Sequence, residues 1–229
     1  MKSNLPSIYF DSERLSRFEY ASSLEWILTN GLGGYASSTI LNVNTRKFHG
    51  LLFTAFNPPT GRYLLLSKID EEICIGGERY PLGSNQFRDV IHPDGYRNLE
   101  GFIMDPLPSF LYKAGDVYLK KEIFMPYLRD VVVVRYEVFN GSETNTALHI
   151  YPLINMRHFY ETTRKGDFKA SREASLNSIL FKFSPKRGFL LLSATSGVYV
   201  DHGDVWVENI YFRRDDLRGE SCLDDCLQP

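Results

Sequence analysis

Two short stretches of this sequence hold most of the side chains able to do chemistry. Thr45-Arg46-Lys47-Phe48-His49-Gly50-Leu51-Leu52 puts three potentially cationic groups within four residues, directly before an apolar strand. Residue type alone allows a solvated strand start. It also allows Arg46 and His49 to offer planar donors to a neutral polyhydroxyl or a carboxylate. Arg157-His158 repeats the arrangement after Tyr151-Pro152-Leu153-Ile154-Asn155, at the end of another strand. A third stretch, Gly31-Leu32-Gly33-Gly34-Tyr35-Ala36, satisfies the letters G-x-G-x-x-A. A dinucleotide site needs a strand before that motif, a helix after it and an acid about twenty residues on. Here strand-like Ser37-Ser38-Thr39-Ile40-Leu41 follows, and Leu51 to Phe56 contains no acid, so no cofactor is expected. The glycines still imply a sharply bent loop whose backbone another group can approach closely.

Other chemistries find little support. There is no G-x-S-x-G elbow and no H-E-x-x-H, and the five histidines are scattered. Asp215-Asp216 and Asp224-Asp225 are adjacent pairs. Carboxylates that cut a glycosidic bond face each other across it, about 5–9.5 Å apart, so both pairs are expected at the solvated surface. Cys74, Cys222 and Cys226 make an odd count, which reads as reduced thiols in a cytoplasmic protein. The spacing Cys222-x3-Cys226 suits no zinc knuckle, and no metal is expected. Met1-Lys2-Ser3-Asn4-Leu5-Pro6 lacks the apolar core of a secretory signal. No apolar run approaches the ~18 residues of a membrane span. A net charge of −2 argues against a nucleic-acid partner.

The elements that must position these residues read as strands. Val117, Leu119, Ile123 and Met125 share one face, with Lys121 among them, and polar residues take most of the other. Val131 to Phe139 is β-branched almost throughout and stops at Asn140-Gly141, a turn signal. Ala147 to Leu153 then returns, so the three segments read as an antiparallel meander. Gly76-Gly77 joins Glu71–Ile75 to Glu78–Tyr80 as a two-residue hairpin, and Ala114-Gly115-Asp116 makes another tight turn. Phe189 to Ala194 and Trp206 to Phe212 are further strands. Helical signal is sparse: Asp11 can cap a short helix through Leu15 and Phe18, and Ser22–Trp26 is a second candidate. The expectation is all-β, a single domain over residues 1–229. It is a large antiparallel β-sandwich with one or two short helices near the N-terminus. Arg213 to Glu220 is a charged run, and Ser221 to Pro229 contains little that looks able to form a core, so the sandwich reads as cut rather than finished.

The linked motifs Trp26-Ile27-Leu28-Thr29-Asn30-Gly31-Leu32-Gly33-Gly34-Tyr35-Ala36-Ser37 and Asn44-Thr45-Arg46-Lys47-Phe48-His49-Gly50-Leu51-Leu52 resemble the N-terminal domain of archaeal/bacterial-type glycogen debranching enzymes (amylo-α-1,6-glucosidases). The family form is close to E-W-L-x-x-N-G-x-G-G-Y-A-S, then T-R-K-Y-H-G-L-L; Phe48 stands where Tyr is usual. The ending, Tyr211-Phe212-Arg213-Arg214 through Leu223-Asp224-Asp225 to Pro229, is also similar, with Cys226 a departure. The resemblance runs from about residue 20 to residue 229. It implies a β-supersandwich that accompanies a C-terminal (α/α)6 barrel, the barrel carrying the two carboxylic acids that hydrolyse the α-1,6 bond.

On that resemblance the chain holds no catalytic residue, no metal and no cofactor. Its partners are the barrel and an α-glucan. The substrate-facing rim is expected at Asn30, Gly33, Gly34, Tyr35, Arg46 and His49, with Arg157 and His158 as further candidates. Loop amides would donate to sugar hydroxyls, and Tyr35 would stack on a sugar ring. Two alternatives stand beside this. One is a free-standing carbohydrate-binding module, which would bind glucan as an isolated chain. The other is a purely structural interaction domain. An orphaned docking face should expose an apolar patch beyond a few hundred Å² and favour self-association.

Overall fold

The computed structural model describes residues 7–186 and 188–229. The stretch Met1–Pro6, read from sequence alone, lies outside them. The described residues form antiparallel sheets. The larger of two principal sheets runs β17 (Val205–Tyr211), β18 (Leu223–Gln228), β13 (Thr146–His158), β5 (Thr60–Ile75), β4 (Gly50–Asn57), β3 (Tyr35–Thr39) and β2 (Glu25–Thr29), with β6 (Glu78–Pro81) added to β5. The second runs β1 (Ile8–Asp11), β9 (Leu99–Met104), β10 (Pro108–Ala114), β11 (Val117–Phe124) and β12 (Val133–Asn140). Three strands, β14 (Lys169–Ala174), β15 (Ser178–Ser184) and β16 (Gly188–Ser193), make a separate meander, and β7 (Ser84–Gln86) pairs with β8 (Ile91–Asp94).

The two principal sheets share one core. Trp26 of β2 meets Phe110 of β10 at 6.4 Å between ring centroids, and Phe110 meets Phe102 of β9 at 5.1 Å. Period-2 patterning puts Val117, Leu119, Lys121 and Ile123 on the inner face of β11, all buried. The hairpin at Gly76-Gly77 forms as its residues require: both glycines have positive φ, and Ile75 pairs with Glu78. The third sheet joins through Phe168, which packs on Phe183 of β15 and on Trp206 of β17. Among the described residues, no helix is long and apolar enough to cross a membrane.

Four expectations are corrected. β12 pairs with β11, but β13 pairs with β5 in the other sheet, so the chain crosses the sandwich after Asn140 and the meander ends there. Asp11 caps α1 (Ser12–Leu15), its carboxylate accepting from Arg14 N at 3.0 Å. The second helix, α2, is Phe18–Ala21; Ser22–Trp26 is instead a turn leading into β2. The Trp26 side chain is drawn inward by the core, and its Nε1 donates to Thr39 O. The charged run contains a helix, α3 (Arg213–Asp216). Finally, residues 223–228 are no fringe. β18 lies between β17 and β13, with Asp224, Asp225, Cys226 and Leu227 all buried. Cys222 and Cys226 are free thiols in a small second core with Leu153, Ile210 and Phe212.

Candidate functional site

The glycine loop is the β2–β3 connection. The segment after it is strand β3, not the helix a dinucleotide would need. Asn30, fully buried, organises the loop: its Oδ1 accepts from Leu32 N at 2.9 Å and Gly34 N at 3.0 Å. Those amides are therefore committed within the protein. Gly33 has φ +94, and a Cβ there would meet the Pro59 backbone at 2.4 Å. A Cβ on Gly34 would strike the Asn30 amide at 2.6 Å and Phe53 O at 2.7 Å. Both positions need glycine because backbone and Asn30 close in on them. Tyr35 is half-buried and stacks on Phe53 at 4.4 Å, so one ring face is taken. Burial raises its phenol well above its ordinary range, against the pull of Arg157 and Arg62.

Arg157 is a buried hub. Its Nε donates to Asp224 Oδ2 at 3.1 Å, its Nη1 to Glu161 O at 2.9 Å and its Nη2 to Lys47 O at 2.8 Å. One guanidinium thus ties β13 to β18, to the turn after β13 and to the basic segment before β4. Asp224 completes the frame by accepting Thr163 N at 2.6 Å, a donor set that suits an ionised carboxylate. The adjacent Asp225 accepts Asn209 N and Lys165 N. Asp215 is buried too, under the basic segment, where its Oδ2 accepts Lys47 N at 2.6 Å. Burial raises its pKa, opposed by Lys47. The expectation that these carboxylates lie in solvent therefore fails for Asp215, Asp224 and Asp225. Backbone donors made burial feasible, and those come from distant segments.

Arg46 and His49 sit elsewhere, in the turn segment that leads into β4. Arg46 pairs with Glu25 at 2.6 Å, and His49 Nε2 lies 3.5 Å from the same carboxylate oxygen. Glu25 begins β2 and Asn30 follows its end, so about 16 Å of extended chain separates this pair from the glycine loop. His49 is 1% exposed and accepts Thr45 N on Nδ1, which leaves its proton on Nε2. What does gather beside the glycine loop is aromatic. Arg62 donates from Nε to Gly33 O at 2.6 Å and covers the Phe159 ring. Phe159 packs on Tyr160 at 4.1 Å and on Phe48 at 5.7 Å. His158 stands edge-on to Tyr63, which stacks on Phe56 at 4.9 Å. The outcome is a shelf of rings, with Tyr160 62% exposed, resting on the Arg157 frame.

A family model described as glycogen debranching enzyme N terminal matches residues 24–229. The chain belongs to that family. Comparison with curated proteins and with solved structures gives no match. In this debranching-enzyme N-terminal domain the two linked motifs take up distinct tasks. The first builds the glycine loop; the second sends Arg46 and His49 to Glu25 and, between them, Phe48 to the aromatic shelf. Sequence reasoning missed Arg62, Phe56, Tyr63, Phe159 and Tyr160. A usable signal was His158-Phe159-Tyr160: three consecutive rings at a strand end cannot all face inward when faces alternate.

His49 carries a pH prediction. Burial holds its pKa below the ordinary histidine value, partly offset by Glu25. Below that ordinary value the unfolded chain takes up a proton that the folded state refuses, so stability falls as the pH drops. Between pH 7.5 and 5.5 this group therefore lowers stability. Urea denaturation at the two pH values reads it directly. His49→Gln should lose less than wild type over the interval. Equal losses would show that the buried ring is not held neutral.

Proposed function

We propose that this chain works as the noncatalytic N-terminal domain of a cytoplasmic glycogen-debranching glycoside hydrolase, an amylo-α-1,6-glucosidase. It braces a C-terminal (α/α)6 barrel and lends that barrel's active site a glucan-binding rim. Acid and base catalysis belong to the barrel. The observation that carries this reading is the shelf of half-exposed rings beside the glycine loop. Pyranose rings offer C–H faces that pack on aromatics, and hydroxyls that take planar donors. Tyr35 and His158 belong to the rim itself. Asn30, Gly33, Gly34 and Arg157 shape it from beneath, and Arg46 and His49 shape the segment that delivers Phe48. The bracing role is supported by two sheet edges, β12 and β16, which present Phe139, Phe189 and Leu191 to solvent. Apolar edges of this kind are normally covered by another body.

Tyr160→Ala in the debranching enzyme that carries this chain is the test. The expected result is a fall in kcat/KM on branched dextrin of about 10-fold, equal to one lost stacking contact. Tm should stay within a degree or two, because the ring is mostly in solvent. An unchanged kcat/KM removes the shelf from the substrate path.

A further inference from the structure

Strand β12 is a free edge: among the described residues it pairs with β11 on one side and with no strand on the other. The devices that normally blunt such an edge are missing from it. Its eight residues, Val133–Asn140, contain no proline and no lysine, and the pairing with β11 runs from Val117↔Asn140 to Phe124↔Val133 without a bulge. The connection before it, which leaves Tyr127 exposed, is fastened to buried Asn30. Leu128 N donates to Asn30 O at 2.7 Å, and Asn30 Nδ2 donates to Asp130 Oδ1 at 2.8 Å. At the other end, Gly141 N donates to Asp116 O at 3.0 Å, one step beyond the register of the strand pair. Alternation along an unbroken antiparallel ladder then turns the N–H and C=O groups of Val133, Arg135, Glu137 and Phe139 to β11. Those of Val134, Tyr136 and Val138 point outwards. The side chains divide with the same period. Val134 and Tyr136 pack on the core, while Arg135, Glu137 and Phe139 are exposed, Phe139 at 70%.

This edge is complementary to itself. Two copies of β12 laid antiparallel about a two-fold axis at Tyr136 set Val134, Tyr136 and Val138 opposite Val138, Tyr136 and Val134 of the second copy, and their outward backbone groups bond one another. In that register Arg135 faces Glu137 and Val133 faces Phe139, each twice. Both contacts extend rows that already cross the sheet. On β11, Lys120 is opposite Glu137 and Glu122 is opposite Arg135, with Arg135 Nη2 2.8 Å from Glu122 Oε2. Across the four strands the row becomes Lys120, Glu137, Arg135, Glu122, alternating in sign throughout. The neighbouring row becomes Tyr118, Phe139, Val133, Phe124, which is apolar throughout. Moving the axis by one residue sets Arg135 against Arg135 or Glu137 against Glu137, and like charges directly opposite are destabilising. We propose that β12 joins a second copy of this chain edge to edge, in a two-fold dimer whose two five-stranded sheets become one. The inference is independent of the glucan rim. Of the two apolar edges it gives β12 to the second copy and leaves β16 to the barrel.

Sedimentation velocity on the full-length protein that carries this chain, over a concentration series reaching tens of micromolar, is the test. Wild type should show a monomer–dimer equilibrium. Arg135→Glu alone sets carboxylate against carboxylate, and Glu137→Arg alone sets guanidinium against guanidinium. Each should weaken the dimer about 10-fold or more. Tm should change little in either, because both side chains are exposed. An equimolar mixture of the two single variants should recover most of the wild-type association, since each then offers the charge the other needs. The double variant Arg135→Glu/Glu137→Arg should recover it alone. A wild type that stays monomeric throughout overturns the proposal. So does a dimer that neither single variant weakens, which places the contact elsewhere. Single variants that dissociate and fail to associate on mixing overturn it as well, because the loss is then structural and owes nothing to complementary charge.

Discussion

Asp224→Ala is expected to remove about 3–5 kcal/mol of folding stability, the usual cost of stranding one partner of a buried ion pair. Both members are inside the protein, with Arg157 2% exposed and Asp224 fully covered. Losing the carboxylate leaves the Arg157 Nε and the Thr163 amide without their acceptor. The damage should spread, because Arg157 also holds Lys47 O and Glu161 O, and so the segment bearing Phe48 and the turn bearing Tyr160. Urea unfolding of the wild type and variant measures the loss. Asp224→Asn, which keeps one acceptor and the shape, should lose visibly less. A change under 1 kcal/mol for Asp224→Ala would mean that the guanidinium finds water when its partner is gone.

The second large effect lies between the sheets. Lys121 of β11 is fully buried and reaches Glu71 of β5 at 2.6 Å, and Tyr136 of β12 donates to the same carboxylate oxygen at 2.6 Å. Beside them Lys68 pairs with Asp70 at 2.7 Å, and Asp70 accepts from Asn85 of β7. Burial lowers the Lys68 pKa, opposed by Asp70. Tyr136 is driven the other way: burial and the neighbouring Glu71 hold its phenol neutral, as a donor. Glu71→Leu should cost about 3–5 kcal/mol, since it strands the Lys121 ammonium in the core. Adding Lys121→Met should recover most of that loss, because an apolar pair of similar volume replaces a buried ion pair at little net cost. Chemical denaturation of the two single variants and the double variant gives the coupling energy. Additive losses would show that the two groups do not depend on each other.

These two ion pairs also mark how far the sequence could be read. Lys121 stood out as the one charge on an otherwise apolar strand face, but its partner Glu71 is fifty residues away and carries no matching signal. Asp224 was harder still. Adjacent acids in a polar tail look solvated, because local sequence says nothing about donors arriving from Arg157 and Thr163. The strands and tight turns were legible because alternation and positive-φ glycines are local properties. The departures fell where long-range packing decided: Trp26, pulled into a strand by the facing sheet, and β13, which left its neighbour β12 to pair with β5.

By itself, the sequence determined an all-β chain, the glycine loop and the membership of its two linked motifs in a debranching-enzyme N-terminal family. Such features depend on residue type over a few neighbouring positions. Tertiary structure alone decided which polar groups are frame and which face solvent. Asn30, His49 and Arg157 went inside as supports, while Tyr160 and Tyr127 were left open. Burial of a polar side chain depends on whether distant segments bring it partners, and that is settled only when the sheets close.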